Sequence, residues 1–342
     1  MTSVDPYARV RAFIERKRLV ARGQRVLVGT GGGAVSLGLV CFLVAERERL
    51  GLAEVAVASV ETSVDETSDA AERVAEVGRV VRQLGVTFHA VRPSSLHRGE
   101  VDVPRELVAL AREQGFDRVA LGATRDDRVL AVLDGVLSGG GLMHLRGVAP
   151  RVAGGIIRPL LCVSTGEALG LVHGIETIPM DAPDGRSGGG RREALRGVLA
   201  RLRVVFPGVD RALEGFGEEV RTLRGRIRRE ALGRIEAGRR GDRWFEIPAL
   251  RVDRSAEDGW WCPSVAEAMA RRLLRECGAT GLGARAERAA VKTLTRMLCG
   301  GSKGKSLTLL VSGVAANYVG GTDTVRVRGT SRNQGKRREA GG

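Results

Sequence analysis

A glycine-rich segment near the start of the chain has the residue types that phosphate binding needs. Gly31, Gly32 and Gly33 follow the apolar run 25–30, and Ser36 comes three residues later in a segment with helical character. Glycines directly before a helix let backbone amides approach a phosphate closely, and the positive end of the helix dipole attracts the anion. The segment predicts a phosphate-binding loop, but three glycines also suit a simple tight turn, and the spacing alone leaves both interpretations open.

Two adjacent carboxylates form the second candidate group. Asp126 and Asp127 begin a helical pattern directly after the short apolar run 118–122. Carboxylates at such a position suit Mg2+ or the hydroxyls of a ribose. They equally suit a helix cap, because acidic side chains in the first turn satisfy free backbone amides. Both interpretations stay open here as well.

The elements around these two segments alternate between strand and helix patterns. Strands are predicted at 25–30, 54–60, 86–91, 118–122 and 155–161, and helices at 34–50, 68–84, 104–114 and from 126 to 137. This rhythm predicts an α/β fold with a doubly wound, mostly parallel sheet. Such a sheet binds ligands at the carboxyl ends of its strands, where the strand order reverses, so we expect the two candidate segments to meet there.

The second half of the sequence has a different organisation. A polar loop at 180–190 leads into a basic helix at 191–202, a charged helical stretch at 207–243, a strand at 244–250, helices at 263–276 and 284–298, and a β section at 306–328. We therefore predict five segments. They are an N-terminal helical extension (1–24), an α/β nucleotide-binding domain (25–180), a basic loop and helical linker (181–243), a small α+β C-terminal domain (244–329) and a disordered tail (330–342).

The formal charge of +15 is concentrated in the second half of the chain. Residues 1–180 contain 22 basic and 21 acidic side chains, whereas residues 181–342 contain 33 basic and 19 acidic ones. Of the 55 basic residues 50 are Arg, a preference that GC-rich coding produces by itself, but coding bias does not explain the asymmetry. The second half is therefore expected to hold a polyanion.

Membrane, secreted and metal-cluster proteins are not indicated. The sequence has no run of 18 uncharged apolar residues, and the polar segment 2–25 has no cleavage site, so we expect no membrane span and a cytoplasmic location. The cysteines lie far apart and form no C-x-x-C pair, which predicts buried thiols and neither disulfides nor a zinc or iron–sulfur site. They are Cys41, Cys162, Cys262, Cys277 and Cys299.

The segment around the three glycines resembles the pyrophosphate loop of the PP-loop ATPases, whose motif is Ser-Gly-Gly-x-Asp-Ser. Gly32 and Gly33 fall on the two glycines of the motif, and Ser36 falls on its last serine. Gly31 stands in place of the first serine, and Val35 stands in place of the aspartate. The resemblance implies an adenine nucleotide alpha-hydrolase-like fold in which Gly31, Gly32, Gly33 and Ser36 surround the phosphates of ATP.

Within that superfamily, the chain is similar to the tRNA(Ile)-lysidine synthetase family from about residue 20 to residue 330. The segment 121–141 resembles the family's Ala-His-His-x-Asp-Asp-Gln-x-Glu-Thr motif, with Asp126 and Asp127 on the two aspartates and without the other polar residues. Arg158 begins an Arg-Pro-Leu-Leu match. The resemblance implies that Asp126 and Asp127 are catalytic and bind Mg2+, and that Arg158 belongs to a structural or substrate loop.

The family's chemistry implies the partners of the chain. In the family, ATP adenylates the C2 oxygen of the wobble cytidine of an isoleucine tRNA, and the amine of free lysine then displaces AMP. The resemblance thus implies a ligase that forms a carbon–nitrogen bond, with ATP and Mg2+ as cofactors, isoleucine tRNA and lysine as partners, and no membrane; a homodimer stays open. The residues expected to contact RNA are Arg191, Arg192, Arg196, Arg224, Arg228 and Arg229.

The absent loop carboxylate leaves more than one hypothesis open. Val35 can neither ligate a metal nor accept a hydrogen bond, and that loss costs roughly several kcal/mol of transition-state stabilisation if the family mechanism applies. The chain is either a working or divergent lysidine synthetase or a PP-loop protein that binds RNA or nucleotide without ligating. A tRNA thiolation enzyme is disfavoured, because that chemistry commonly uses paired cysteines.

Overall fold

The structure is a computed structural model that describes most of the chain in two units. The described residues are 5–61, 70–93, 96–97, 100–138, 145, 147–152, 154–173, 175, 189–248, 250, 262–279, 284–299, 307–311, 314–319 and 324–329. The chain divides into compact units Met1–Val220 and Arg221–Gly342, and the division falls within one long helix.

The first unit is built on a five-stranded parallel sheet. The strands of this unit are β1 (Arg25–Gly29), β2 (Glu54–Val60), β3 (Thr87–Val91), β4 (Leu96–His97), β5 (Glu100–Val101), β6 (Arg118–Leu121) and β7 (Ile156–Ile157). The sheet order is β3-β2-β1-β6-β7, every neighbouring pair is parallel, and β4 and β5 form a separate hairpin. The strand order therefore reverses between β1 and β6.

Helices cover both faces of this sheet. The helices of this part of the chain are α1 (Pro6–Lys17), α2 (Ala34–Ala45), α3 (Arg47–Leu50), α4 (Ala70–Gln83), α5 (Val103–Glu113), α6 (Arg125–Leu137), α7 (Thr165–Leu169), α8 (Gly189–Val205) and α9 (Val209–Ala237), and α9 continues into the second unit. Successive residues of β1 serve opposite layers, because strand side chains alternate. Val26 and Val28 pack in the cluster that contains α2 and α4, whereas Leu27 packs with Leu107 and Ala111 of α5.

A separate apolar cluster joins α6 to α8. Val129, Leu130 and Leu133 of α6 pack against Leu199 of α8, and all four side chains are buried. The helix that follows the candidate aspartates is therefore held directly against the basic helix that the sequence predicts.

The second unit is an antiparallel sheet with a helix pair. Its elements are β8 (Arg239–Gly241), β9 (Trp244–Pro248), α10 (Cys262–Glu276), α11 (Ala284–Leu298), β10 (Leu307–Val311), β11 (Val314–Val319) and β12 (Thr324–Gly329). The sheet order is β10-β11-β12-β9-β8. Val325 and Val327 of β12 are buried, and Arg326 and Arg328 between and after them are exposed, so the sheet has one buried and one open face.

The structure confirms the predicted fold class and corrects two elements. The strand predicted at 155–161 shortens to Ile156–Ile157, and a 3-10 helix follows at Pro159–Cys162, because Pro159 has no amide for the sheet ladder. The helix predicted at 207–243 ends at Ala237. Gly238 then lies against β9, where a Cβ would be 2.7 Å from the Glu246 carbonyl oxygen, and the chain continues as β8.

Some predictions fall outside the described residues. They are most of the polar loop predicted at 180–190 and the whole tail predicted at 330–342. The five predicted segments and their boundaries stay a prediction.

Candidate functional site

The structure brings the two candidate segments together at the carboxyl edge of the parallel sheet. Strands β1 and β6 pair directly, with Gly29 opposite Leu121, and their following loops lead into α2 and α6. Gly122 lies so close to Ser36 that a Cβ there would be 3.0 Å from the Ser36 Cα atom. The loops therefore touch through their backbones at the point where the strand order reverses, which is the ligand position of this architecture.

A buried threonine organises the glycine loop. The Thr30 Oγ1 atom accepts a hydrogen bond from the Gly32 amide at 3.0 Å and lies 2.7 Å from the Ser36 Oγ atom. Ser36 Oγ in turn donates to the Gly33 carbonyl oxygen at 2.8 Å. Gly32 has a φ of +88°, a conformation that favours glycine. The loop is thus held in one shape by its own side chains.

The amino end of α2 is open to a ligand. Gly33 is the N-cap residue and supplies no side-chain cap, so the amides of the first turn have no partner within the helix. A Cβ added to Gly31 or Gly33 would meet no atom within 4 Å, so the described chain leaves space beside the loop. Val35, in the same turn, packs against the hydrophobic core and adds no charge. The arrangement suits a phosphate group.

Both carboxylate oxygens of Asp126 accept hydrogen bonds from the protein. Its Oδ2 atom accepts a hydrogen bond from the Thr165 amide at 2.7 Å, and its Oδ1 atom accepts one from Arg203 Nη2 at 2.5 Å. Burial by itself would raise the pKa of this carboxyl, but the hydrogen bonds from Thr165 and Arg203 outweigh it and hold the pKa below its ordinary value. Asp126 is therefore an ionised carboxylate that joins α6 to α7 and α8.

Asp127 caps its own helix. Its Oδ2 atom accepts hydrogen bonds from the amide and hydroxyl of Thr124 at 2.8 and 3.2 Å, and the Asp127 amide donates back to Thr124 Oγ1 at 3.4 Å. This reciprocal arrangement is a capping box. The Asp127 Oδ1 atom accepts a hydrogen bond from Arg192 of α8. Both aspartates therefore bind arginines of the same helix.

The arginines predicted on α8 pair with acidic side chains. Arg191 binds Asp134 through two nitrogens at 2.9 and 2.6 Å, and Arg196 lies 3.5 Å from Glu193. Arg203, which the sequence analysis did not single out, also binds Asp210 at 3.0 Å. The structure thus joins Arg192 to Asp127 and does not bring Arg191 or Arg196 to either candidate aspartate.

The remaining predicted residues belong to other elements of the chain. Arg224, Arg228 and Arg229 belong to the part of α9 in the second unit, where Arg228 and Arg229 are exposed and Arg224 is half-buried. Arg158 precedes the 3-10 helix and donates to the Ala149 carbonyl oxygen at 3.0 Å. A guanidinium that holds a loop carbonyl in this way supports local structure.

The excess positive charge belongs to the second unit almost entirely. Residues 1–220 contain 29 basic and 28 acidic side chains, whereas residues 221–342 contain 26 basic and 12 acidic ones. The first unit is therefore nearly neutral, and four arginines of α8 pair with acidic side chains; these are Arg191, Arg192, Arg196 and Arg203.

A separate cavity lies at the other edge of the parallel sheet. Its volume is about 240 Å³, and Val108, Phe116, Arg118 and Gly155 are among the residues that line it. Because Arg118 begins β6 and Gly155 directly precedes β7, the cavity is at the amino ends of the strands. It is therefore distinct from the candidate site.

The structure also bears on the expectations about metal sites, buried cysteines and membrane spans. Within the described residues, no three His, Cys, Asp or Glu side chains come close enough together to hold a metal ion. Cys41 and Cys277 are buried as predicted, but Cys162 and Cys299 are partly exposed, which corrects the expectation for those two thiols. None of the helices in the described ranges has the length and apolar character needed to cross a bilayer.

The sequence is similar to several tRNA(Ile)-lysidine synthases. The chain is 33% identical over 171 residues to the tRNA(Ile)-lysidine synthase of Parabacteroides distasonis, which covers 47% of this chain and 37% of that protein. It is 34% identical over 227 residues to the tRNA(Ile)-lysidine synthase of Symbiobacterium thermophilum, and this match covers 62% of this chain and 44% of that protein. It is 32% identical over 163 residues to the tRNA(Ile)-lysidine synthase of Chlorobaculum tepidum, and this match covers 43% of this chain and 47% of that protein. The resemblance to tRNA(Ile)-lysidine synthases is confirmed.

The similarity covers part of those relatives. The chain spans between 34% and 47% of the length of the four tRNA(Ile)-lysidine synthases it matches. No protein-family model matches the sequence.

A structural comparison supports the fold. The U34-tRNA thiolase NcsA from Methanococcus maripaludis, solved with its [4Fe-4S] cluster, superposes with a TM-score of 0.51 at 16% identity. The match covers 63% of this chain and 77% of the thiolase. At that identity the likeness concerns the fold, and it agrees with the predicted PP-loop architecture.

The arginine partners of the aspartates could not be predicted from the sequence, whereas the helix cap that contains Asp127 could. The spacing of Thr124 and Asp127 matches a capping box, so that contact was readable from the sequence. Arg203 lies 77 positions from Asp126, and no local pattern links them. Thr30 ends the predicted apolar run 25–30, and the pattern gives no sign that its hydroxyl organises the glycine loop.

Proposed function

We propose that this protein has a tRNA(Ile)-lysidine synthase-like function: ATP-dependent attachment of lysine to the wobble cytidine of an isoleucine tRNA, through an adenylated intermediate. The observation that carries the proposal is the similarity to four tRNA(Ile)-lysidine synthases at 32–36% identity. The open glycine loop at the reversal of strand order supports it, because this is where such a sheet binds a nucleotide.

The loop residues fit the phosphates of ATP. The first amides of α2 lack partners within the helix, and Thr30 and Ser36 hold the glycines in place. In the proposed reaction, these amides stabilise negative charge as pyrophosphate departs from the α-phosphate and the cytidine oxygen becomes adenylated. The lysine amine then attacks C2 of the cytidine, and AMP leaves.

The residues proposed for Mg2+ do not fit a metal. Every carboxylate oxygen of Asp126 and Asp127 already accepts a hydrogen bond from the protein, and both side chains bind a guanidinium. Magnesium needs several oxygen ligands in a nearly octahedral shell, and the guanidinium bound to each carboxylate repels a second cation there. No step of the proposed reaction is therefore assigned to a metal held by these aspartates.

The tRNA is proposed to contact the second unit. That unit has 26 basic and 12 acidic residues, and Arg228 and Arg229 are exposed on α9. Phosphate contacts from arginine release counterions and hold RNA. The proposed partners include free lysine, and the proposed location is the cytoplasm, where tRNA is modified. A homodimer stays open.

A second candidate function is binding of nucleotide and tRNA without ligation. Two observations favour it: Val35 packs into the core where the family has a loop aspartate, and both helix aspartates bind arginines. A chain with this site would keep the affinity that backbone amides and surface arginines provide, but it would lack the carboxylates that assist the chemical step.

Lysidine formation decides between the two functions. The full chain is incubated with ATP, Mg2+, lysine and unmodified isoleucine tRNA, and the digested tRNA is examined by nucleoside mass spectrometry. We expect lysidine that requires both ATP and lysine, formed about 10²- to 10³-fold more slowly than by an enzyme that has the loop carboxylate. Binding of ATP and tRNA without lysidine would support the second function, and absence of all binding at low salt would contradict both.

A further inference from the structure

We infer that Asp126 and Asp127 anchor α8 and do not hold Mg2+, so that the glycine loop binds phosphate without a divalent cation ligated by this aspartate pair. The first part of the inference concerns the chain alone. The statement about phosphate rests on the proposed function of the glycine loop.

The hydrogen bonds of the two carboxylates support this inference. Asp126 accepts from the Thr165 amide and from Arg203, and Asp127 accepts from Thr124 and from Arg192. Mg2+ needs ligand oxygens at about 2.0–2.1 Å in nearly octahedral geometry. A metal at either carboxylate would lie beside the guanidinium that is already bound there, and that positive charge would repel the cation.

Charge compensation leads to the same conclusion. Asp210 is a further carboxylate near α8, and both of its oxygens accept from Arg203 Nε, at 3.1 and 3.0 Å. Arg203 therefore connects α6 to the start of α9, while Arg192 connects α6 to an earlier turn of α8. Each of these carboxylates therefore has a guanidinium beside it, which lowers the negative potential that would attract a dication.

The glycine loop supplies no replacement carboxylate. Val35 packs with the core, and the Ser36 hydroxyl donates to the Gly33 carbonyl oxygen. Across the described ranges, no group of three potential metal-binding side chains occurs. The absent loop carboxylate and the arginine-bound aspartates are thus two separate features of the chain that both oppose a metal at this edge.

The anchoring role follows from where the arginines lie. Arg192 and Arg203 are 11 positions apart on α8, and the buried Leu199 packs on α6 between them. Two ion pairs and an apolar contact therefore hold α8 along its length. Removing one carboxylate leaves a half-buried arginine without that partner, which loosens the helix.

Metal binding is tested with Mn2+ alone, because its electron paramagnetic resonance signal falls when the ion binds. We expect wild-type protein and the Asp126→Asn variant to leave the same fraction of Mn2+ free. A stoichiometric Mn2+ site in the wild type that the Asp126→Asn substitution removes would overturn the inference.

Anchoring is tested by hydrogen exchange of the α8 amides in Arg203→Met, with Arg201→Met as the matched control. Arg201 is exposed on the same helix, and methionine keeps a long unbranched side chain in both variants. We expect α8 amides to exchange several-fold faster in Arg203→Met than in the wild type, and no change in Arg201→Met. Equal exchange in all three proteins would overturn the anchoring role.

The phosphate statement is tested by titrating ATP into wild type and Asp126→Asn, in Mg2+ and in EDTA. We expect the substitution to change affinity by the same factor in both buffers. A tenfold loss in Mg2+ with no loss in EDTA would overturn the inference. If the wild type binds no ATP in either buffer, the proposed function fails, while the Mn2+ and exchange measurements still decide whether the aspartates anchor α8.

Discussion

Single residues determine what chemistry is possible at the carboxyl edge of the parallel sheet, where the strand order reverses. The glycines and Ser36 were predictable from the sequence, because their order before a helix is a local pattern. The contacts of Asp126 were not predictable, because a carboxylate that starts a helix can bind a metal, cap the helix or bind an arginine far along the chain. Only the folded arrangement shows that Asp126 binds Arg203.

The Asp126 contact predicts a specific pH dependence. Asp126→Asn should lower the free energy of unfolding of the chain by about 1–3 kcal/mol at pH 7, since Thr165 and Arg203 lose a charged acceptor. The folded-state pKa lies below the ordinary value, so this contribution is complete above the unfolded pKa of about 3.9 and is lost as the pH falls through the folded value.

Urea unfolding followed by circular dichroism measures that dependence. The difference between wild type and Asp126→Asn should be the same at pH 7 and pH 5 and should shrink towards pH 3. Asp242→Asn, in an exposed turn, is the control and should leave stability unchanged at each pH. A wild-type advantage that disappears already at pH 5 would contradict the lowered pKa.

The close approach of Gly122 to Ser36 predicts that ATP binding depends on the small size of this glycine. A methyl group at this position would lie 3.0 Å from the Ser36 Cα atom and 3.2 Å from its amide nitrogen, so Gly122→Ala should push the loops apart. We expect ATP affinity, measured by isothermal titration calorimetry, to fall about tenfold, or ~1.4 kcal/mol.

The matched control for this substitution is Gly197→Ala. A methyl group on Gly197 would meet nothing within 4 Å, and this glycine is exposed on α8. Its ATP affinity should equal that of the wild type. Unchanged affinity in Gly122→Ala would place the nucleotide away from this contact.

At the scale of elements, the sequence predicts helices well and their partners poorly. The bounds predicted for α11, 284–298, are the observed ones, because its apolar periodicity is a local property. The helical character of α8 is equally local, but the sequence predicts RNA contacts for its arginines, because their acidic partners on α6 are distant along the chain. Pairing between distant elements is decided by tertiary packing, which periodicity does not encode.

The α9 arginines predict the salt dependence of RNA binding. Arg228 and Arg229 are exposed, so replacing both with Gln should remove up to two phosphate contacts. The slope of log affinity against log salt concentration should then fall by about 1.4 for single-stranded RNA. Filter binding of isoleucine tRNA at several KCl concentrations measures it.

Exposed arginines of the first unit provide the control. Arg201→Gln with Arg211→Gln removes the same charge from exposed positions on α8 and α9. This variant should keep the wild-type slope, because the first unit is nearly neutral as a whole. A larger loss in the control than in the Arg228 and Arg229 variant would move the RNA surface to the first unit.

At the scale of the whole molecule, charge and fold divide the chain in the same place. The first unit has the doubly wound sheet and nearly equal numbers of acidic and basic residues, whereas the second unit has the small antiparallel sheet and the excess of arginine. The charge asymmetry was readable from the sequence. The structure was needed to place the boundary between the units within α9, because a continuous helical pattern contains no sign of such a boundary.

Transfer of AMP to tRNA tests the proposed function most directly. The full chain is incubated with ATP labelled at the α-phosphate and unmodified isoleucine tRNA, without lysine, and label in precipitated tRNA is counted. We predict labelled tRNA from the wild type, loss of most of that label in Gly122→Ala, and release of the label as AMP when lysine is added. Unlabelled tRNA from a wild-type protein that binds both ATP and tRNA would contradict the proposed adenylation.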